Sequence, residues 1–292
     1  MRIGIGLPAA VPGVDARVIG PWAAAAEQAG FASLGVIDRL VYDNLEPLTA
    51  LAAAAATTSR VELVTTVLNV GWRADPVLLG KQLASVELLS GGRLTAGLGL
   101  GGWPEDYEVS GVPERGRGAR LDAAVATLRA VWSGQPTGQG GPMRRLPAGR
   151  PALLFGGLVP AAFVRAATLG DGWVAPLFGL ETLVRGAGAV RTAWERAARP
   201  GEPRIVTGRY VSLGSGGGAV ADHYLRHYYG EYWTAARADT ATSAGELHDE
   251  LARLDDAGVT DVVLYPCDAG LDQVTRLADA LPAAREPVTV AP

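Results

Sequence analysis

Runs of strand character alternate with helical patterns almost from end to end of this 292-residue chain, and that alternation leaves few architectures open. Strand-like runs lie near residues 2–7, 32–37, 61–68, 93–99, 152–156, 172–175, 204–213 and 261–265. Helical patterns lie near 15–29, 46–59, 75–89, 117–133, 160–169, 180–199, 243–257 and 270–282. Asp75-Pro76 is a helix start, a capping residue followed by proline, and Gly30 and Gly258 stand where helices end. Eight strand–helix units are the count of a (β/α)8 TIM barrel, an α/β fold. The competing doubly wound sheet places a glycine-rich phosphate turn after its first strand, whereas here that strand runs into Leu7-Pro8-Ala9. We therefore expect one barrel domain over 1–292, with insertions near 134–151 and 214–242. The first insertion, rich in glycine and proline, reads as a surface excursion. The second carries Tyr224, Tyr228, Tyr229, Tyr232 and Trp233 and predicts a helix covering the barrel mouth.

Composition narrows the partners. A net charge of −4 gives no basic face for nucleic acid. The longest apolar run, Leu48 to Ala56, is alanine-rich and far short of the roughly 20 residues of a membrane span. The amino terminus enters a strand without the pattern of a signal peptide. Cys267 is the single cysteine, so neither an internal disulfide nor a cysteine-rich metal site is expected. A cytoplasmic protein without nucleic-acid or membrane partners is the expectation.

Barrel chemistry sits at the C-terminal ends of the strands. Those ends carry Asp38-Arg39, Thr66-Val67-Leu68-Asn69, Gly99 to Trp103, Phe155-Gly156-Gly157, Trp173, Arg209-Tyr210 and Tyr265. Apolar walls, bare backbone, aromatics and a few charges suit a flat organic molecule. In ELLSGGRLTAGLGLGGWPEDY, residues 87–107, a buried strand opens into Gly99, Gly101 and Gly102, where a ligand could approach the backbone, followed by Trp103, Glu105 and Asp106. Gly156-Gly157 precedes a helix beginning near Pro160, a place where backbone N–H groups can receive an anion. His223 and His227 are spaced i, i+4 but lack the glutamate of H-E-x-x-H and a third ligand, so no metal site is expected. Neither a G-x-S-x-G elbow nor a Walker loop is present. With few nucleophiles available, the hard chemistry falls to a bound cofactor.

The segments AAAAEQAGFASLGVIDR, LEPLTALAAAAATTSRVELVTTVLN, ADPVLLGKQLASVELLSGGRLTAGLGLGGWPEDYEVSGV, RLDAAVATLRAVW, LLFGG and AATLGDGWVAP, in that order, resemble the bacterial luciferase-like superfamily of flavin- and deazaflavin-dependent oxidoreductases. The resemblance implies a cofactor across the barrel mouth, either coenzyme F(420) for hydride transfer or FMN for oxygen chemistry. It implies a non-proline cis peptide at Thr66-Val67 beneath the ring and Asp38 facing the ring. Gly101, Gly102 and Trp103 would flank the ring, and Gly156, Gly157 and Leu158 would receive the phosphate.

Several deazaflavin-dependent relatives carry a histidine after that aspartate. Arg39 stands there instead and cannot shuttle a proton at neutral pH, so it is expected to clamp a carboxylate. Asp38, Arg39 and Glu105 are the candidate catalytic residues, with Asp38, Glu105 and Asp106 available as proton donors. The resemblance thus points to an F(420)-dependent oxidoreductase of a small organic substrate, with homodimers common in the family. The alternatives are an FMN-dependent monooxygenase served by a separate flavin reductase, and a barrel that binds flavin without turnover.

Overall fold

The structure, a computed structural model, describes residues 1–135, 141–147 and 149–281. Nine parallel strands form a closed sheet: β1 (Arg2–Gly6), β2 (Ser33–Val36), β3 (Glu62–Thr65), β4 (Leu68–Asn69), β5 (Leu94–Gly99), β6 (Ala152–Gly156), β7 (Gly172–Val174), β8 (Arg204–Val211) and β9 (Asp261–Pro266). β1 pairs with both β2 and β9, and β3 with both β2 and β5, which closes the ring. β3 and β4 are one stave. Leu63 lies opposite Leu94 and Leu68 opposite Leu98, so this stave takes five steps where its neighbour takes four. That extra residue is a β-bulge. The eight staves are a (β/α)8 barrel, as the alternation predicts.

The helices follow the staves in order: α1 (Ile19–Gln28), α2 (Pro47–Thr57), α3 (Pro76–Ser90), α4 (Pro104–Ser110), α5 (Arg117–Ser133), α6 (Pro160–Leu169), α7 (Leu180–Arg196), α8 (Gly217–Tyr229), α9 (Trp233–Ala238), α10 (Ala244–Asp256) and α11 (Asp272–Ala280). Asp75 caps α3 through the N–H groups of Val77 and Leu78. No described helix is long and apolar enough to cross a membrane.

Alternation along each strand sends one set of side chains to the helices and the other to the barrel axis. Leu34, Leu63, Phe155, Ile205 and Val262 belong to the outer core, where the helices cover them. The inner set is layered. At the bottom, Arg204 donates to Glu62 at 2.7 Å and to Asp261 at 2.7 Å. Above lie Val64, Leu154, Val206 and Val263, and then the ring of Tyr265. Three glycines make room for that ring. A Cβ on Gly6 would stand 2.2 Å from it, on Gly35 2.6 Å from its hydroxyl, and on Gly208 2.9 Å from it.

The first insertion departs from the expected surface excursion. Residues 136–140 and 148 lie outside the described residues, but Leu146 is wholly buried in the core and its N–H donates to the Trp132 carbonyl at 3.1 Å. One apolar side chain is enough to tie the segment down. The second insertion holds α8, which lays Tyr224, Tyr228 and Tyr229 across the barrel mouth, as expected.

Candidate active site

A cavity of about 420 Å³ opens at the C-terminal end of the barrel. The bulge shapes its floor. With one residue too many, the third stave turns both Thr66 and Val67 inward, and the Thr66–Val67 peptide is cis, as the resemblance implies. The Thr66 hydroxyl lies 2.5 Å from that of Tyr265. Val67 fills the space that side chains at Gly99 and Gly156 would need, since a Cβ there would come within 2.4 and 2.9 Å of its methyls. Those two glycines accommodate the bulge, and both also line the cavity. Gly101 and Gly102 border it as well. Gly101 takes φ +76°, a left-handed conformation, and nothing lies within 4 Å of a Cβ on Gly102.

Asp38 stands after β2 and lines the cavity. Its Oδ2 accepts from the Asn69 N–H and from Arg73 Nη1, each at 2.7 Å, while Asn69 Nδ2 donates to the Asp38 carbonyl at 2.7 Å. Its Oδ1 is buried without a partner among the described residues. Burial pushes the Asp38 carboxyl above the usual range, with Arg73 opposing. A buried polar atom left unsatisfied among the described residues is a place where a ligand donor gains a strong hydrogen bond.

Arg39 and Glu105 do not line the cavity. Arg39 is buried behind Trp103, and Nη2 donates to Glu105 Oε1 at 3.0 Å and to the Val41 carbonyl at 3.2 Å. Its Nε lies 3.4 Å from buried Asp106, whose other oxygen accepts the Val41 N–H at 2.8 Å. The expected clamp on an external carboxylate gives way to an internal one. Two carboxylates from α4 neutralise the guanidinium before any ligand arrives.

Gly156, Gly157 and Leu158 meet the start of α6 at one corner of the cavity. The N–H groups of Gly157, Leu158 and Val159 donate to no acceptor among the described residues. Gly157 has φ +128°, which only glycine adopts readily, and its carbonyl accepts the Trp173 indole N–H at 2.9 Å. Two cations close the corner. Arg165, held by Asp122 at 2.6 Å, and Arg117, donating to the Gly101 carbonyl at 3.3 Å, both line the cavity. A helix N-terminus with free N–H groups and two guanidinium groups has the chemistry that could hold a phosphate.

Arg73, Arg117 and Arg165 escaped the sequence reading, as did the pairing of Asn69 with Asp38. Nothing local marks Arg73 and Arg165, because each pairs with a carboxylate on another β/α unit, and Arg117 reaches the Gly101 carbonyl 16 residues before it, across α4. His227 bonds the Tyr42 hydroxyl through Nδ1 at 2.8 Å.

The family model described as luciferase-like monooxygenase matches residues 1–266. An uncharacterised protein of Mycobacterium tuberculosis is 33% identical over 184 residues, 53% of this chain and 63% of that relative. The chain thus spans less than two thirds of that relative's length. An F(420)-dependent glucose-6-phosphate dehydrogenase of Beutenbergia cavernae is 34% identical over 131 residues, 38% of this chain and 35% of the relative. Among solved structures, monooxygenase RslO1 from Streptomyces bottropensis superposes with a TM-score of 0.80 at 21% identity, covering 96% of this chain and 97% of that one.

Proposed function

The chain belongs to the luciferase-like monooxygenase family, and on that premise we propose that this oxidoreductase transfers a hydride between coenzyme F(420) and a small organic substrate. The observation that carries the proposal is the corner where three unpaired N–H groups and two arginines converge beside a cavity with an unpartnered carboxylate oxygen. These residues fit a phosphate-bearing flat coenzyme. Gly157, Leu158, Val159, Arg117 and Arg165 would hold the phosphate, Val67, Gly101, Gly102 and Trp103 would flank the ring, and Asp38 would receive a ring donor. When bound, the coenzyme supplies a centre that accepts or donates hydride. The protein binds and orients it, and the tyrosines of α8 shield the mouth from water.

The deazaflavin is preferred because the Beutenbergia relative, at about a third identity, is F(420)-dependent. The second reading is an FMN-dependent monooxygenase supplied with reduced flavin by a separate reductase. The family description and the shared fold of RslO1 favour it, and the same corner suits the FMN phosphate.

Titration of the protein with F(420) and with FMN, followed by coenzyme fluorescence, separates the two. F(420) is expected to bind at least about tenfold more tightly, a difference of ~1.4 kcal/mol. Tight FMN binding with no uptake of F(420) would establish the monooxygenase reading instead.

A further inference from the structure

One wall of the cavity carries a pair of tyrosines whose hydrogen-bond direction is set by burial. Tyr210 on β8 is wholly buried, Tyr229 at the end of α8 is half-buried, and both line the cavity. Their hydroxyl oxygens lie 2.9 Å apart. Among the described residues the Tyr210 hydroxyl has no other partner. Tyr210 is the more deeply buried of the two, so if it accepted from Tyr229 its own proton would lack an acceptor among the described residues. On that ground Tyr210 is assigned as the donor. The Tyr229 oxygen accepts, and the Tyr229 proton remains free for the cavity. A hydroxyl that accepts one hydrogen bond becomes a better donor of the next. Burial holds both hydroxyls above their ordinary titration range, so both stay protonated at neutral pH.

The surroundings of this pair are apolar and carry no available charge. Trp103 and Phe178 pack on the Tyr229 ring, with centroids 6.2 and 5.5 Å away, and Leu177 and Tyr228 complete the wall. The cation behind them, Arg39, is neutralised by Glu105 and Asp106. The cations that do line the cavity, Arg117 and Arg165, belong to the phosphate corner.

We infer that this wall is the substrate subsite, and that it takes a neutral organic carbonyl or hydroxyl compound with an apolar, ring-sized body whose oxygen accepts the Tyr229 proton. The inference rests on the redox reading above and deepens it. A phosphorylated sugar finds no unpaired cation on this wall among the described residues and would leave its own charge desolvated among aromatic rings.

The test is calorimetric and does not depend on turnover. The protein is first saturated with the oxidised coenzyme, F(420) or FMN, whichever binds more tightly. It is then titrated with acetophenone, with ethylbenzene as the carbonyl-free analogue, and with glucose 6-phosphate. Acetophenone should bind. Tyr229→Phe, which keeps the ring and removes only the hydroxyl, should weaken it about three- to tenfold, as expected for one neutral hydrogen bond. Ethylbenzene and coenzyme affinities should be unchanged, and glucose 6-phosphate should bind more weakly than acetophenone. Equal losses for acetophenone and ethylbenzene would reduce Tyr229 to a packing role and overturn the inference. So would a loss confined to the coenzyme, or tighter binding of glucose 6-phosphate. Failure of both coenzymes to bind shows in the first titration, before any probe is added, and overturns the redox reading and this inference with it.

Discussion

The Arg39 guanidinium lies 3.8 Å from the centre of the Trp103 ring, at the back of the cavity wall. A desolvated cation over an indole is worth ~2 kcal/mol. Glu105 and Asp106, the first acidic residues of α4, pair with the same guanidinium, so it is anchored on three sides. The consequence reaches the site indirectly. Arg39 holds Trp103 in place and offers the cavity no charge of its own.

Arg39→Met should therefore act first on stability. It strips buried Asp106 of its cation, and breaking a buried pair by removing one partner costs about 3–5 kcal/mol. Urea unfolding would read this as a lower midpoint at unchanged slope. Coenzyme affinity of the folded variant should fall by less than about tenfold. Unaltered stability together with a large loss of affinity would restore Arg39 as a direct ligand of coenzyme or substrate.

Arg165→Gln probes the phosphate corner. The side chain keeps its approximate length and loses its charge, so FMN and F(420) should each bind roughly tenfold or more weakly, the range for a charged hydrogen bond. Riboflavin, which has no phosphate, is the internal control and should bind the variant and the unaltered protein alike. If riboflavin affinity falls as much as FMN affinity, Arg165 serves only to tie α6 to Asp122 on α5.

The frame of this protein is written locally, and most of its site is not. Helix starts such as Asp75-Pro76 and the apolar, strand-length run of β9 depend on neighbours a few residues away, so they can be read along the chain. The cis peptide at Thr66–Val67 was reached through the likeness of TTVLN to its relatives and not from any propensity. The sequence displays the charge of Arg39 but not its partner Glu105, 66 residues later, and so predicts a clamp on an external carboxylate. Arg73 was passed over for the same reason, with Asp38 35 residues before it. The glycines of the first strand, Gly4 and Gly6, show no side chain that would announce a partner. Gly6 is instead the space into which Tyr265, on the last strand, places its ring.

That relationship predicts a coupling across the barrel. Gly6→Ala would set a methyl 2.2 Å from the Tyr265 ring, and overpacking of this kind costs about 1–3 kcal/mol. Tyr265→Val removes the ring and the hydrogen bond to Thr66, and is destabilising alone. Combined, the two should cost at least ~1 kcal/mol less than the sum of the single changes, because the methyl then occupies vacated space. Thermal or urea unfolding of the four proteins completes the cycle, and strict additivity would contradict the packing described.

The bottom of the barrel predicts how stability responds to acid. Burial alone would raise the carboxyls of Glu62 and Asp261, but the hydrogen bonds and charge of Arg204 outweigh it and hold both below their ordinary values of 4.5 and 3.8. A carboxylate whose pKa is depressed by folding contributes stability that is fully present above its unfolded value and is lost as pH falls through the folded one. The Glu62–Arg204–Asp261 layer should thus stabilise fully above pH 4.5 and weaken progressively below 3.8. Arg204→Met leaves buried Asp261 and partly buried Glu62 facing each other with only the half-exposed Arg2 nearby, and should cost about 3 kcal/mol at neutral pH, the lower end for a broken buried pair. The penalty should shrink as pH falls below about 4.5, because the unfolded chain then takes up protons while Arg204 keeps Glu62 and Asp261 ionised in the unaltered protein, so the contribution of the layer is lost. Urea midpoints of the two proteins compared at neutral pH and near pH 3.5 would check this. A gap that stays constant or widens on acidification would mean that Arg204 stabilises the barrel floor by packing rather than by charge.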